Sequence, residues 1–214
     1  MSQYYVSATG SDSANGTSTG TPWQTIGKVN TVGLLAGDSV SFKGGDAFAG
    51  NLLVNPATPP ANEGQRIRVT NYGTGQATIQ PGTGGAGVEV RDCGYVTVDV
   101  IIAGPGISLA GSYPTLVATT TSTAAGVLWY NTSSTVARTN LIVNNCTISG
   151  CLSGVALLSA FLKPTTAFDT FSITNNTIFN CGIYGIGMLA FTSLTAILAL
   201  FLKETGPAVR KTSA

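Results

Sequence analysis

The sequence predicts an all-β fold, a single-stranded parallel β-helix (solenoid) with a short N-terminal capping helix. A repeat and a strand-like composition predict it. The run from Val143 to Cys151 returns as Ile173 to Cys181, thirty positions later, and in both copies apolar residues alternate with Thr, Ser and Asn. Because so short a unit cannot bury its apolar side alone, successive copies must stack as circuits of one coil.

A ladder of polar side chains is expected where the circuits stack. The segment from Thr97 to Gly104 is an earlier copy of the repeat, with Asp99 at the place that Asn145 and Asn175 take later. Stacking would put these three residues at an inner turn, where each amide or carboxylate satisfies backbone groups of the next circuit.

A short helix is expected ahead of the first full circuit. The segment from Tyr4 to Ser7 has the pattern of a first strand, and Thr21-Pro22-Trp23-Gln24 is a capping-box pattern with Thr21 as the N-cap. The helix would run to about Asn30 and cover the apolar end of the coil, which otherwise exposes an unpaired strand edge.

The length of the chain suits one domain, because 214 residues can form a single substantial core. This domain divides into an N-terminal strand and helical cap (1–36), circuits with a loop excursion near 105–125 (37–189), and a C-terminal circuit or cap (190–214).

The run from Ile186 to Leu202 is almost wholly apolar and has three interpretations. It could form strands of a last circuit, a capping helix, or a membrane or assembly segment. A membrane span needs about 20 residues, so a membrane partner is the least favoured of the three.

The composition excludes several functions. Charged residues make up 9% of the chain and the net charge is +1, which leaves no electrostatic footprint for nucleic acid. The chain contains no histidine, which removes the commonest general base and the usual catalytic triads. Since there is no CxxC pair either, the sequence predicts no metal site and no cofactor.

The four cysteines are Cys93, Cys146, Cys151 and Cys181. A disulfide framework is one interpretation, and buried free thiols are the favoured one, because all four lie in strand or turn contexts. Cys151 and Cys181 occupy equivalent repeat positions and are expected to stack.

The N-terminal half resembles the opening of right-handed parallel β-helix proteins of the pectate-lyase-like superfamily. The segments that carry this resemblance are Tyr4–Asp12, Thr21–Ile26, Gly37–Gly45 and Asn71–Gly75. The resemblance extends to about Leu189 and implies a right-handed coil. The superfamily includes polysaccharide lyases, glycoside hydrolases, epimerases, phage tail-spike modules and surface proteins without catalysis, so the resemblance is specific for fold and not for activity.

Charged residues supply the first candidates for glycan binding, on one lateral face of aligned circuits. These candidates are Lys43, Asp46, Arg66, Arg68 and Arg91. Because Ile67 and Val69 would face the core, period-two alternation predicts Arg66 and Arg68 on the outward face. The alternative interpretation is a solvated outer face with scattered charges.

Two aromatic residues, Trp129 and Tyr130, are further candidates, because exposed aromatic rings stack against sugars. The alternative is that Trp129 fills the core.

The sequence leaves enzymatic activity undecided. A polysaccharide lyase needs a base that takes the proton α to a uronate carboxylate, and a cation that stabilises the resulting charge. Hydrolases of the polygalacturonase kind place an adjacent aspartate pair and a histidine on one face, and this chain has neither. Carboxylates are too sparse in the central circuits for calcium. No catalytic residue is therefore assigned, and lyase-like chemistry is the nearest enzymatic hypothesis.

Two functions follow from these observations. The first is a carbohydrate-facing domain that binds or depolymerises an acidic polysaccharide, as a secreted or phage tail-spike module. The alternative is a non-catalytic structural protein of a virion or surface appendage, which assembles through its ends and faces into a homo-oligomer or fibre. Both predict an extracellular or virion-associated location, although a strand follows Met1 so closely that we expect no signal peptide in this chain.

Overall fold

The computed structural model describes residues 1–81, 85–99, 101–103, 125–133, 136–151, 153–159, 169–179, 181 and 184–190. Within these ranges the chain is mostly β-strand, with one short α-helix and one 3-10 turn. The strands form three sheets, and neighbouring strands in each sheet are parallel. The all-β class is therefore confirmed.

The strands of each sheet follow one another in chain order. Sheet I contains β1 (Gln3–Val6), β2 (Ser39–Lys43), β5 (Ile67–Tyr72), β8 (Val96–Asp99), β11 (Leu141–Asn144) and β14 (Phe171–Thr174). Sheet II contains β3 (Ala47–Ala49), β6 (Ala77–Gln80), β9 (Ile101–Ala103), β12 (Thr147–Ser149) and β15 (Thr177–Phe179). Sheet III contains β4 (Leu52–Val54), β7 (Val88–Arg91), β10 (Ala125–Asn131), β13 (Ser153–Ser159) and β16 (Tyr184–Ala190).

From β2 onwards the chain passes through sheets I, II and III in turn, and we call each such passage a circuit. Each strand inside a sheet pairs with the equivalent strand of the circuit before it and of the circuit after it, and the described edge strands pair on one side. Val143 of β11 pairs with Val98 of β8 on one side and with Ile173 of β14 on the other. Residues thirty positions apart are thus neighbours in this region, as the repeat predicts.

One apolar cluster collects alternate residues of all three sheets. Val98 and Val143 from sheet I, Ile148 from sheet II, and Val90 and Trp129 from sheet III all belong to it, and all five are fully buried. Period-two alternation along each strand therefore sends one side of every sheet into a common core.

Three glycines occupy equivalent places near the start of the long strands of sheet III: Gly126, Gly154 and Gly185. A Cβ at Gly126 would lie 2.2 Å from Cγ2 of Ile148, and one at Gly154 would lie 2.4 Å from Cγ2 of Ile178. Glycine at these places lets the isoleucines of sheet II pack directly against the backbone of sheet III.

The N-terminal helix exists, but the predicted cap is wrong. The helix α1 spans Ile26–Val32, and its N-cap is Thr25, whose side chain accepts a hydrogen bond from the Lys28 N–H. The chain is still extended at Trp23, which forms a parallel β-bridge with Val6 and buries its ring. This tertiary pairing overrides the capping-box pattern, because a residue held in a bridge cannot also lie in the first helical turn.

The carboxylate of Asp12 fixes where the helix begins. Its oxygens accept hydrogen bonds from the backbone N–H of Gln24 at 2.8 Å and from the backbone N–H and hydroxyl of Thr25 at 3.0 and 2.7 Å. The helix packs Ile26 and Val29 into the core and contacts β4. It thus lies against the first strands, where a cap was expected.

The predicted loop excursion near 105–125 lies outside the described residues except for Ala125, which begins β10. The predicted C-terminal circuit or cap (190–214) also lies outside them, except for Ala190. No helix in the described ranges is both long and apolar enough to cross a membrane.

Candidate functional site

The outward face of sheet I carries an aromatic and polar group near its N-terminal edge, which we call the Tyr5–Tyr72 face. Tyr5 lies on β1 between core residues, and Tyr72 ends β5. Their rings meet edge to face with centroids 5.3 Å apart. Lys43 ends β2 and pairs in register with Tyr72. All three side chains are half-exposed, so a ligand can reach them.

Ser7 and Asp46 hold this face in place from one side. The Asp46 carboxylate accepts hydrogen bonds from the Ser7 hydroxyl at 3.1 Å and from the Ala8 N–H at 2.9 Å. Partial burial raises the pKa of Tyr72, and the Asp46 carboxylate adds to the rise, while a hydrogen bond with Ser7 opposes it. Tyr72 therefore keeps its phenolic proton at neutral pH and offers both a donor and an apolar ring.

Lys43 and Asp46, both predicted as glycan-binding candidates, lie at the same corner of the chain. Their contact is through the backbone, where the Asp46 N–H donates to the Lys43 carbonyl at 3.2 Å. In the described part of the chain their side chains do not form an ion pair. The Lys43 ammonium group is thus left for a ligand or for solvent.

Tyr5, Ser7 and Tyr72 were not predicted as site residues. Strand alternation was the signal that could have found the two tyrosines. In β1, Tyr5 faces the side opposite to its neighbours Tyr4 and Val6. In β5, Tyr72 lies an odd number of positions after the core residue Val69, so it faces outward. What the sequence does not show is that the chain brings two separate strands together at this face.

Arg66 contradicts its predicted position. It is 4% exposed, and its Nη1 donates to the carbonyls of Val96 at 3.1 Å and Asn140 at 3.0 Å. Its Nε lies 2.7 Å from Oε2 of Glu63. Arg66 precedes β5 at the corner between sheets III and I, so strand alternation does not apply to it. It joins three segments of the chain and is not available to a glycan.

Arg68 is exposed and lies on the outward face of sheet I, as predicted. Arg91 lies instead on sheet III, where it forms a salt bridge with Glu89 and its guanidinium lies 5.8 Å from the centre of the Tyr130 ring. The predicted cations are therefore spread over two sheets and a corner, and they do not form one basic groove.

Trp129 fills the core, so the alternative interpretation was right. Its side chain is fully buried, and the indole N–H donates to the Cys93 carbonyl at 2.8 Å. Tyr130, next along β10, alternates to the other face and is half-exposed.

The predicted polar ladder is displaced by one residue and faces outward. Asp99 pairs in register with Asn144, not with Asn145. Asn145 and Asn175 are exposed, with φ angles of 52° and 55°, a left-handed conformation that asparagine tolerates. Each reaches back one circuit, with Nδ2 of Asn145 3.1 Å from Oδ1 of Asp99 and Nδ2 of Asn175 3.2 Å from Oδ1 of Asn144.

The inward place at this turn belongs to Cys146 and Asn176. Asn176 donates from Nδ2 to the Val143 carbonyl at 2.9 Å and accepts at Oδ1 from the Cys146 N–H at 2.8 Å. Asn176 thus satisfies backbone groups of the preceding circuit, which is the role expected of its neighbour Asn175.

The described carboxylates are mostly committed to structural contacts. Asp12, Asp38 and Asp46 accept backbone hydrogen bonds, Glu63 and Glu89 bind arginines, Asp92 binds Thr132, and Asp99 accepts from Asn145. Among the described residues, His, Cys, Asp and Glu form no cluster that could hold a metal ion. The Tyr5–Tyr72 face therefore offers a ligand two aromatic rings, the Tyr72 hydroxyl and the Lys43 ammonium group.

Comparison with known proteins gives a match at the level of fold. No protein-family model matches the chain, and no curated protein does. It is similar to the selenomethionine derivative of a GH136 lacto-N-biosidase from Eubacterium ramulus, with TM-score 0.63 and 19% identity over 82% of this chain and 34% of that one. The native protein gives TM-score 0.57 and 20% identity over 73% of this chain and 30% of that one.

A rhamnogalacturonan lyase matches with TM-score 0.29 and 14% identity over 81% of this chain and 62% of that one, which is too weak to support an argument. At the identities of the lacto-N-biosidase matches, the likeness shows the fold alone. The chain spans about a third of the length of those structures.

Proposed function

We propose that this chain is a carbohydrate-binding domain with a right-handed parallel β-helix fold, and that it binds glycan at the Tyr5–Tyr72 face. The passage through sheets I, II and III in a constant order, with parallel pairing throughout, supports a β-helix. Right-handed crossovers between parallel strands account for about 98% of known cases, which supports the right-handed coil.

The Tyr5–Tyr72 pair is the observation that carries the binding proposal. Two half-exposed rings in edge-to-face contact present an apolar surface of fixed orientation, and sugar rings offer C–H faces that pack on such surfaces. The Lys43 ammonium group and the Tyr72 hydroxyl beside them supply hydrogen bonds that orient sugar hydroxyls.

The charges on this side of the molecule favour a glycan of low charge density. Arg66 and Arg91 are paired with glutamates, which leaves Lys43 and Arg68 as the outward cations of sheet I. The Asp46 carboxylate lies beside this face, and Asp99 ends β8 in the same sheet. We therefore expect binding that depends little on salt, and the acidic polysaccharide expected from the sequence becomes the less favoured ligand.

Binding without cleavage is the activity that this face supports. Most glycoside hydrolases use two carboxyl groups that flank the scissile bond. Asp46 is held by Ser7 and Ala8, and Asp99 is held by Asn145. The lacto-N-biosidase likeness supports a link to carbohydrate. An extracellular or virion-associated location is part of this proposal.

A glycan array followed by calorimetry tests the proposal. The wild-type chain should bind at least one neutral oligosaccharide, and Tyr72→Ala should weaken that affinity about tenfold through loss of ring contact. Tyr130→Ala is the matched control, because it removes a half-exposed tyrosine on sheet III. Equal affinity in wild type and Tyr72→Ala, or no binding to any glycan, would overturn the proposal.

Exposed phenylalanines at the last described strands favour a second function, assembly through the end of the coil. Phe171 on β14 is 37% exposed and Phe179 on β15 is 47% exposed. Two exposed aromatic rings on neighbouring sheets suit contact with another molecule. Light scattering over a range of concentrations distinguishes the two, because a strictly monomeric mass removes the structural-assembly hypothesis.

A further inference from the structure

Two cysteines come at equivalent places where the chain leaves sheet II for sheet III. Ser149 pairs in register with Phe179 at the end of β12 and β15, and Cys151 and Cys181 each follow two residues later. Both thiols adopt the same arrangement, since Sγ of Cys151 donates to the Ser149 carbonyl and Sγ of Cys181 donates to the Phe179 carbonyl.

The pKa values of the two thiols agree with this placement. Burial raises the pKa of both, and the nearby Cys181 thiol adds to the rise at Cys151. At the paired ends of β12 and β15, two residues before the cysteines, neighbouring strands are about 4.8 Å apart. A disulfide bridges Cα separations of about 4.4 to 6.8 Å. A bond between the two sulfurs therefore needs little backbone movement.

We propose that Cys151 and Cys181 form an intramolecular disulfide when the protein meets an oxidising thiol couple such as glutathione disulfide. The bond would join two successive circuits and close a loop that contains β13, β14 and β15. It would hold the last described circuit against the one before it, a role suited to a protein outside the cell.

The reaction proceeds by two thiol–disulfide exchanges. Cys181 loses its proton to solvent, and its thiolate attacks one sulfur of glutathione disulfide and releases glutathione thiolate. The Cys151 thiolate then attacks the Cys181 sulfur of the mixed disulfide and releases the second glutathione. Two protein thiols are oxidised and one glutathione disulfide is reduced.

Accessibility and acidity set the order of these steps and their rate. Cys181 is half-buried and Cys151 is 3% exposed, so the small oxidant meets Cys181 first. Burial raises the pKa of Cys151 to about 12 and raises that of Cys181 as well, which keeps both largely protonated and makes the exchange slow at neutral pH.

The other two cysteines do not have this arrangement. Cys146 is equivalent to Asn176, thirty positions later, so no cysteine of the next circuit lies beside it. Cys93 is buried, its thiol donates to the Val54 carbonyl, and its own carbonyl accepts from the Trp129 indole. In the Cys93→Ala/Cys146→Ala variant only the proposed pair remains, so any intramolecular disulfide must join Cys151 to Cys181.

The test is native-state oxidation of this double variant with glutathione disulfide at mildly alkaline pH, followed by intact mass spectrometry. We expect the monomer to lose the mass of two hydrogens, and its thermal unfolding midpoint to rise by about 5 °C or more, because the bond closes a loop of about thirty residues. Adding Cys151→Ala should abolish both changes and leave a single glutathione on Cys181.

Wild-type protein, digested after the same oxidation, checks the result if the variants fold poorly. A bridged peptide pair containing Cys151 and Cys181 supports the proposal. Persistent free thiols at both residues in the native protein, or bridging that occurs only after unfolding in urea, would overturn it. These outcomes do not depend on glycan binding.

Discussion

Arg66 forms a two-point ion pair with Glu63, with Nε 2.7 Å from Oε2 and Nη2 2.5 Å from Oε1. The other terminal nitrogen of Arg66 donates to carbonyls of the two following circuits. Arg66, which the sequence suggested for ligand binding, thus links successive circuits at the corner between sheets III and I.

Replacing Arg66 by alanine should therefore reduce stability. We expect Arg66→Ala to lower the free energy of unfolding by about 2 to 3 kcal/mol, because the buried Val96 carbonyl and the partly buried Asn140 carbonyl lose the Arg66 donor. Urea denaturation measures this. Arg68→Ala, an exposed arginine two positions away, should change it by less than about 0.5 kcal/mol. An equal loss of unfolding free energy in the two variants would contradict the role of Arg66 in linking the circuits.

The Glu63–Arg66 pair should make stability depend on acidity. The hydrogen bond from Arg66 lowers the pKa of Glu63 below its usual value of 4.5. The folded-state pKa is thus below the unfolded one, so the stabilisation is present above pH 4.5 and is lost as the pH falls through the folded-state pKa. Wild type should exceed Glu63→Gln in urea midpoint at pH 7, and the gap should narrow in acid.

The matched control for this experiment is Asp169→Asn, which also removes one carboxylate and lies at an exposed place. Its midpoint difference from wild type should stay small across the same pH range. If the difference in urea midpoint between Glu63→Gln and wild type stays constant from neutral to acidic pH, the Glu63–Arg66 ion pair does not contribute to the pH dependence of stability.

Gly154 should tolerate no side chain. A Cβ there would lie 2.4 Å from the Gly185 carbonyl oxygen and 2.4 Å from Cγ2 of Ile178. We expect Gly154→Ala to lower the free energy of unfolding by about 2 to 3 kcal/mol, because sheets II and III must move apart. Gly20→Ala is the control, since the nearest atom to its Cβ would be Oγ of Ser18 at 3.8 Å. Thermal unfolding that is alike in both variants would contradict this packing.

Trp129 should affect stability and not binding. Trp129→Phe removes the donor to the Cys93 carbonyl and part of a fully buried ring system, so we expect a loss of about 1 to 3 kcal/mol in the free energy of unfolding. Tyr130→Phe, on the other face of β10, should cost less than about 0.5 kcal/mol. A glycan affinity that falls in Trp129→Phe while stability is unchanged would contradict the core assignment.

The polar ladder shows which positions of a sequence repeat predict the register of the strands. Matching of similar residues placed Asp99 level with Asn145, whereas strand pairing places it level with Asn144. A slip of one residue exchanges the two faces of a strand, so Asn145 lies outside and Asn176 takes the inner role. The repeat contained this information only through its apolar positions, Val98 and Val143, which are in register.

The candidate site depended on contacts that no local pattern shows. Tyr5 and Tyr72 lie far apart in the chain and meet because β1 and β5 both pair with β2. Thr21 was a plausible N-cap by pattern, but the bridge between Trp23 and Val6 moved the start of the helix.

The sequence by itself determined the all-β class, the thirty-residue stacking around Val143 and Ile173, and the presence of an N-terminal helix, because these follow from periodicity and residue type over short distances. Only the tertiary structure decided that Arg66 and Trp129 are buried while Lys43 and Tyr72 remain within reach of a ligand. The physical reason is that burial of a side chain depends on which other circuits and corners lie against it, and a corner residue obeys no strand period.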